Sequence, residues 1–95
     1  MTISEILTMT KNDLQIAGDT FDEYLLNLIA VAQSAIEREG VVIKLDSMED
    51  CGLVVMYASY LYRKRASSDP VMPRHLRYAL NNRLFSQKTK GGEGP

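Results

Sequence analysis

Apolar residues recur every three to four positions in four blocks of the chain, and only residues 41–45 (VVIKL) break that rhythm with strand-like composition. Thr2 and Glu5 have capping-box spacing. Ile3, Leu7, Thr10 and Leu14 then fall on one helical stripe with Ile6 beside it, which predicts a short helix over residues 3–14. Ala17, Gly18 and Asp19 read as a turn. Thr20 and Glu23 form a second capping box, with Asp22 and Glu23 in the first turn of a long helix. Its inward face is marked by Phe21, Leu25, Leu28, Ala32 and Ala35, widened by Tyr24, Ile29 and Ile36, and Gly40 ends it as a C′ glycine. Its last turn, Glu37-Arg38-Glu39, places acid where the helix dipole favours base, so cations from a partner are expected there.

Residues 51–65 (CGLVVMYASYLYRKR) are the block around which the others pack. From Cys51 to Tyr62 only Gly52 and Ser59 are neither apolar nor tyrosine, and a helix without a polar side belongs in the middle of a bundle. The run is shorter than the ~20 apolar residues a bilayer span needs. A strand over residues 53–57 is open on β-branched content. The ends favour helix: Asp46 or Ser47 as N-cap, Glu49 and Asp50 in the first turn, and Arg63, Lys64 and Arg65 at the other pole. Gly52 reads either as a tolerated first-turn glycine or as the mark of close approach by another helix. Residues 41–45 have no second strand, so they read as an extended connector or as an apolar strip against a neighbouring subunit.

Residues 66–72 carry turn chemistry. Pro73 reads as the first position of a last helix, with Val71 and Leu76 at hydrophobic-staple spacing and Leu76, Leu80 and Leu84 as its inward stripe. The expected fold is all-α: a small four-helix bundle with a short first helix, two long central helices and a C-terminal helix, in one domain over residues 1–86. Residues 87–95, glycine-rich and polar, are expected to form a flexible tail.

Composition adds a size limit and an asymmetry. Ninety-five residues, 45% hydrophobic and 24% charged, are enough for one small globular domain of marginal stability alone. The net charge of −1 conceals a split: residues 1–50 hold three basic and ten acidic side chains, whereas residues 51–95 hold eight basic and two acidic. Such a split points to a nucleic-acid face or to a molecule whose two sides complement each other. The N-terminal ten residues read as carrying no secretory signal, and no lipidation motif or transmembrane segment is expected.

Catalytic chemistry is thin. Cys51 is the single cysteine and His75 the single histidine, on different elements, which leaves no metal set of useful spacing and no disulfide. A Cys51–His75 nucleophile pair would need the thiol at a surface, against its apolar setting. Gly91, Gly92 and Gly94 have neither the preceding strand nor the following helix of a phosphate-cradling loop. The acid pairs Asp22-Glu23 and Glu49-Asp50 are explained by helix starts. No catalytic residue, metal or cofactor is assigned, and the reading is not an enzyme. Tyr57, Tyr60 and Tyr62 cannot all face one way, so at least one meets a polar edge or a partner.

Three stretches, taken in order, resemble the head–tail connector (head-completion adaptor) family of tailed bacteriophages. They are residues 22–37 (DEYLLNLIAVAQSAIE), residues 53–63 (LVVMYASYLYR) and residues 72–83 (MPRHLRYALNNR), with residues 14–16 also fitting. The likeness covers about residues 3–86 and rests on packing patterns, not on a catalytic signature. It implies a structural virion protein of the neck, made in the host cytoplasm. Such a subunit forms a homo-oligomeric ring matched to the twelve-fold symmetry of the portal. The ring would join the portal to a tail-side head-completion or stopper protein and let DNA through without sequence recognition.

On that reading the interface candidates are Arg63, Lys64, Arg65, Arg74 and Arg77 on the basic side and Glu37 and Glu39 on the acidic side. Phe85, Lys88 and Lys90 are candidates for tail docking. The rival reading is a small helical nucleic-acid-binding module using Arg63, Lys64, Arg65, Arg74, Arg77 and Arg83. A helical dimer of the toxin–antitoxin kind is the weaker third.

Overall fold

The computed structural model describes residues 1–65 and 71–93, with side chains through Lys88. It is an all-α four-helix bundle: α1 (Ile3–Leu14), α2 (Asp22–Arg38), α3 (Met48–Lys64) and α4 (Arg74–Glu93). The third helix touches each of the other three, as its lack of a polar side requires. It buries Cys51, Leu53, Val54, Val55 and Ala58 against Ile6 of α1, Ile29, Ala32 and Ile36 of α2, and Leu76 and Leu80 of α4. Thr10 is also buried, and its hydroxyl donates to the Ile6 carbonyl at 2.8 Å.

Helix ends follow local chemistry, with two departures from expectation. Thr2 and Glu5 close the capping box on α1, and Ser47 caps α3 by accepting from the Asp50 N–H at 3.2 Å. The second box does not form. The N-cap of α2 is Phe21, with no side-chain cap bond, so Thr20 lies outside the helix. The last helix opens at Arg74, and the Pro73 carbonyl accepts from the Leu76 and Arg77 N–H groups, which puts the proline one position before the helix instead of inside it. Val71 is 73% exposed and forms no staple; Met72 packs against the core in its place.

Both α1 and α2 end in a Schellman arrangement. After α2, the Gly40 N–H reaches the Glu37 carbonyl and the Val41 N–H reaches Ile36, with Gly40 at φ +104°. Val41 and Ile36 then share the core, the apolar contact that accompanies this motif. After α1 the same pair of bonds runs from Gln15 to Asn12 and from Ile16 to Lys11. There Gln15, not a glycine, holds the left-handed position at φ 59°.

The stripes lie close to where periodicity puts them, shifted around the helix axis. The centre of the α2 face is Leu25, Ile29, Ala32 and Ile36, while Phe21 is 43% exposed. On α1, Ile6 and Thr10 are buried and Ile3 is exposed.

Residues 41–44 form a connector without regular structure that turns at Leu45 and Asp46, and among the described residues no strand pairs with it. The last helix, expected to end near Ser86, continues to Glu93. The Gln87 side chain holds this stretch in place by bonding both backbone groups of Val42, each at 2.8 Å. The rest of the predicted loop, residues 66–70, and the tail end, residues 94–95, lie outside the described residues. The molecule is flat, 49 × 31 × 17 Å, and its radius of gyration of 13.9 Å exceeds the about 12 Å expected of a compact chain this long.

Replacing Gln15 with glycine relieves a left-handed side-chain residue and is expected to raise stability by about 1 kcal/mol, roughly 4–8 °C in Tm. Gly40→Ala is expected to do the opposite and by more, because its Cβ also meets Leu84 Cδ1 at 3.2 Å. Thermal unfolding of the two variants beside the parent checks both signs.

Candidate functional site

The region where chemistry concentrates is the junction of the connector, the start of α3 and the middle of α4. Asp50 stands at the third position of α3, facing inward, and is fully buried. Arg83 reaches it from α4, with Nε donating to Oδ1 at 2.6 Å and an η nitrogen to Oδ2 at 3.3 Å. The Lys44 N–H donates to the same carboxylate at 3.0 Å. Its hydrogen bond to Asp50, together with the carboxylate's charge, holds the Arg83 guanidinium above its ordinary pKa. The connector's strand-like residues are thus satisfied by side chains: Asp50 takes the Lys44 N–H and Gln87 takes both groups of Val42. Neither the ion pair nor the Gln87 clamp was legible beforehand. Asp50 read as a first-turn acid, and the one hint for Arg83 is its place between Leu80 and Leu84, beside the inward stripe.

A second ion pair closes the other side. Arg77 chelates Glu39, with its η nitrogens 2.7 Å and 3.2 Å from the two carboxylate oxygens, and this bond raises the Arg77 pKa. The acid at the end of α2 therefore receives its cation from α4 of the same chain, while Glu37 stays exposed. At the far end of α3, each member of the basic triplet leans on its own bundle. Arg63 donates to the Asp13 carbonyl at 3.2 Å and lies 3.6 Å from its carboxylate. Lys64 sits 5.8 Å above the Tyr60 ring, and Arg65 stacks over Tyr24 at 5.0 Å and Tyr62 at 5.8 Å. The tyrosines do diverge: Tyr57 meets Tyr60 edge-on at 5.8 Å, whereas Tyr62 turns towards Tyr24.

Part of the charge split is therefore spent inside the chain. Four ion pairs join a carboxylate of residues 1–50 to an arginine of residues 51–95: Asp13–Arg63, Glu39–Arg77, Glu49–Arg83 and Asp50–Arg83. The structure brings Arg77 and Glu39 together and gathers Arg63, Lys64 and Arg65 at one helix end. Arg74 is exposed at the start of α4, and Phe85 (72% exposed) and Lys88 lie exposed further along it. The side chain of Lys90 falls outside the described residues.

Cys51 is buried, its thiol donates to the Leu45 carbonyl at 3.3 Å, and burial pushes its pKa up, which disfavours the reactive thiolate. His75 is exposed on another helix. Among the described residues no group of three His, Cys, Asp or Glu side chains could hold a metal ion, and no helix is long and apolar enough to cross a membrane. An open groove of about 330 Å³ runs between α3 and α4. It is walled by Met48, Gly52 and Met56 on one side and Ala79 and Asn82 on the other, with Glu49 and Arg83 at one end. A Cβ built on Gly52 would meet nothing within 4 Å, so no helix of this chain approaches it closely.

Comparison of the chain with protein-family models, curated proteins and solved structures returns no match.

Asp50→Asn is expected to cost about 3–5 kcal/mol, because it leaves a largely buried guanidinium with only the exposed Glu49, 3.4 Å away, as charge partner. The double change Asp50→Leu with Arg83→Met is expected to recover most of that loss, since two apolar groups need no desolvation offset. Urea unfolding of the three proteins checks this; a loss below 1 kcal/mol for the single variant would contradict the pair's role.

Proposed function

We propose that the chain is a structural subunit of a phage neck, a head–tail connector that works by assembling into a ring. One observation carries the reading: a small bundle leaves large apolar side chains uncovered along the outer face of its last helix. Tyr78 and Phe85, seven residues apart on one side of α4, are 60% and 72% exposed, and Val71 just before the helix is 73% exposed. Apolar groups of this size left in water mark a surface meant for another protein. A flat subunit 17 Å thick also has a large side area for neighbours relative to its volume. The resemblance of residues 3–86 to connector proteins supplies the identity of the partners: copies of itself, the portal and a tail-side protein, around a channel that passes DNA without reading it.

The nucleic-acid reading has less behind it. Arg83 is held by Asp50, Arg77 by Glu39 and Arg63 by Asp13, so half of its six proposed contacts already have carboxylate partners.

Mixed with portal protein, the full chain is expected to give ring-shaped density on one portal face in negative-stain images. A chain that stays monomeric and leaves the portal bare would overturn the proposal. Truncation after Lys88 keeps the Gln87 bonds to Val42 and is expected to keep the fold, while portal capture in a pull-down falls. Unchanged capture would take the docking role away from the C-terminal residues.

A further inference from the structure

The α3–α4 groove and the exposed strip on α4 have properties that fit each other. The strip presents Tyr78 and Phe85 between two cations, Arg74 near its start and Lys88 near its end, all exposed. The groove is lined by Met48, Gly52, Leu53, Met56, Ala79 and Asn82, and its mouth carries Glu49, whose side chain is 65% exposed although it lies 3.4 Å from Arg83, which also borders the groove. Aromatic groups flanked by base on the strip thus match a largely apolar cleft with one exposed acid at its mouth. Methionines such as Met48, 71% exposed, adapt their shape to an incoming ring.

Gly52 strengthens the case. Glycine inside a helix is less stable than alanine, and nothing in this subunit needs the space, because a Cβ there meets no atom within 4 Å. The opening becomes useful when a side chain from outside enters. Strip and groove also lie on adjacent sides of α4. At 3.6 residues per turn, Ala79 is rotated by roughly 100–120° from Tyr78 and Phe85, while Asn82, about 40–60° from them, stands on the border between strip and groove. One copy can thus offer its strip to one neighbour and its groove to another.

We infer that the Tyr78–Phe85 strip of one copy docks into the Gly52–Met56–Ala79 groove of the next, forming a head-to-tail contact that repeats around the assembly. The contact is heterologous: each subunit uses two different surfaces, and the assembly closes or runs on according to the rotation between copies. The assignment rests on the assembly reading above and names the surfaces that make it.

The two surfaces can be disabled separately. Phe85→Ser removes the anchor and leaves the groove intact. Gly52→Leu fills the groove and leaves the strip intact, and circular dichroism checks that each variant keeps its helices. In sedimentation velocity each variant alone is expected to self-associate roughly tenfold or more weakly than the parent. An equimolar mixture of the two is expected to form dimers and nothing larger, because one working strip meets one working groove. Should Gly52→Leu fold poorly, Gly52→Ala serves, expected to raise the monomer's Tm while weakening association.

Variants that associate as the parent does, or a mixture that fails to dimerise, overturn the docking assignment while parental rings leave the assembly reading standing. Gly52→Leu that keeps self-association but loses portal binding gives the groove to another protein and overturns the assignment too. A parent chain that is monomeric alone and beside the portal overturns both.

Discussion

The buried ion pair between Asp50 and Arg83 is the constraint around which this small bundle is arranged. A carboxylate with no solvent exposure is tolerated only if charge and hydrogen bonds replace the water it lost. Arg83 supplies the charge and two of the bonds, and the Lys44 N–H supplies another. Meeting that requirement fixes two things together: the register of α4 against α3 and the path of the connector. The last helix otherwise packs less extensively on the bundle than α1 or α2 does. A charge pair and the Gln87 clamp hold it where apolar contact alone is modest.

That economy has consequences for the surface. Since Asp13, Glu39, Glu49 and Asp50 pair with arginines from the second half of the chain, part of the charge separated in sequence is reunited in space. In the proposed assembly, long-range attraction between copies would fall to the charges still facing solvent, among them Glu37, Arg74 and Lys88. Exposed pairs of this kind contribute little stability and are weakened by salt. On that proposal apolar docking would hold copies together, with the residual charges setting direction.

The same logic separates the two ends of α3. Its start is a dry polar junction, and its end is a wet cluster in which tyrosine rings and basic groups cover one another. Lys64 and Arg65 lie against rings they partly shield, so the triplet is built into the surface of its own bundle. Between the two ends the groove beside Gly52 is one place where the bundle leaves room without filling it.

Helix number, order and type were legible in the sequence, because capping residues and 3.6-residue periodicity are local properties: Thr2, Ser47, Gly40 and the leucines of α4 act within a few residues of themselves. So was the central place of α3, since a run with no polar side must be covered. Local signals failed at Thr20 and Val71, where the spacing is right but the chain takes another path, and at Gln15, which holds a glycine's conformation without being one. What only tertiary structure decided is the pairing of residues far apart. Asp50 with Arg83, Glu39 with Arg77 and Gln87 with Val42 are separated by 33 to 45 positions. No periodicity records which buried acid meets which base; that depends on the angle and register at which two packed helices lie, which the whole core sets at once.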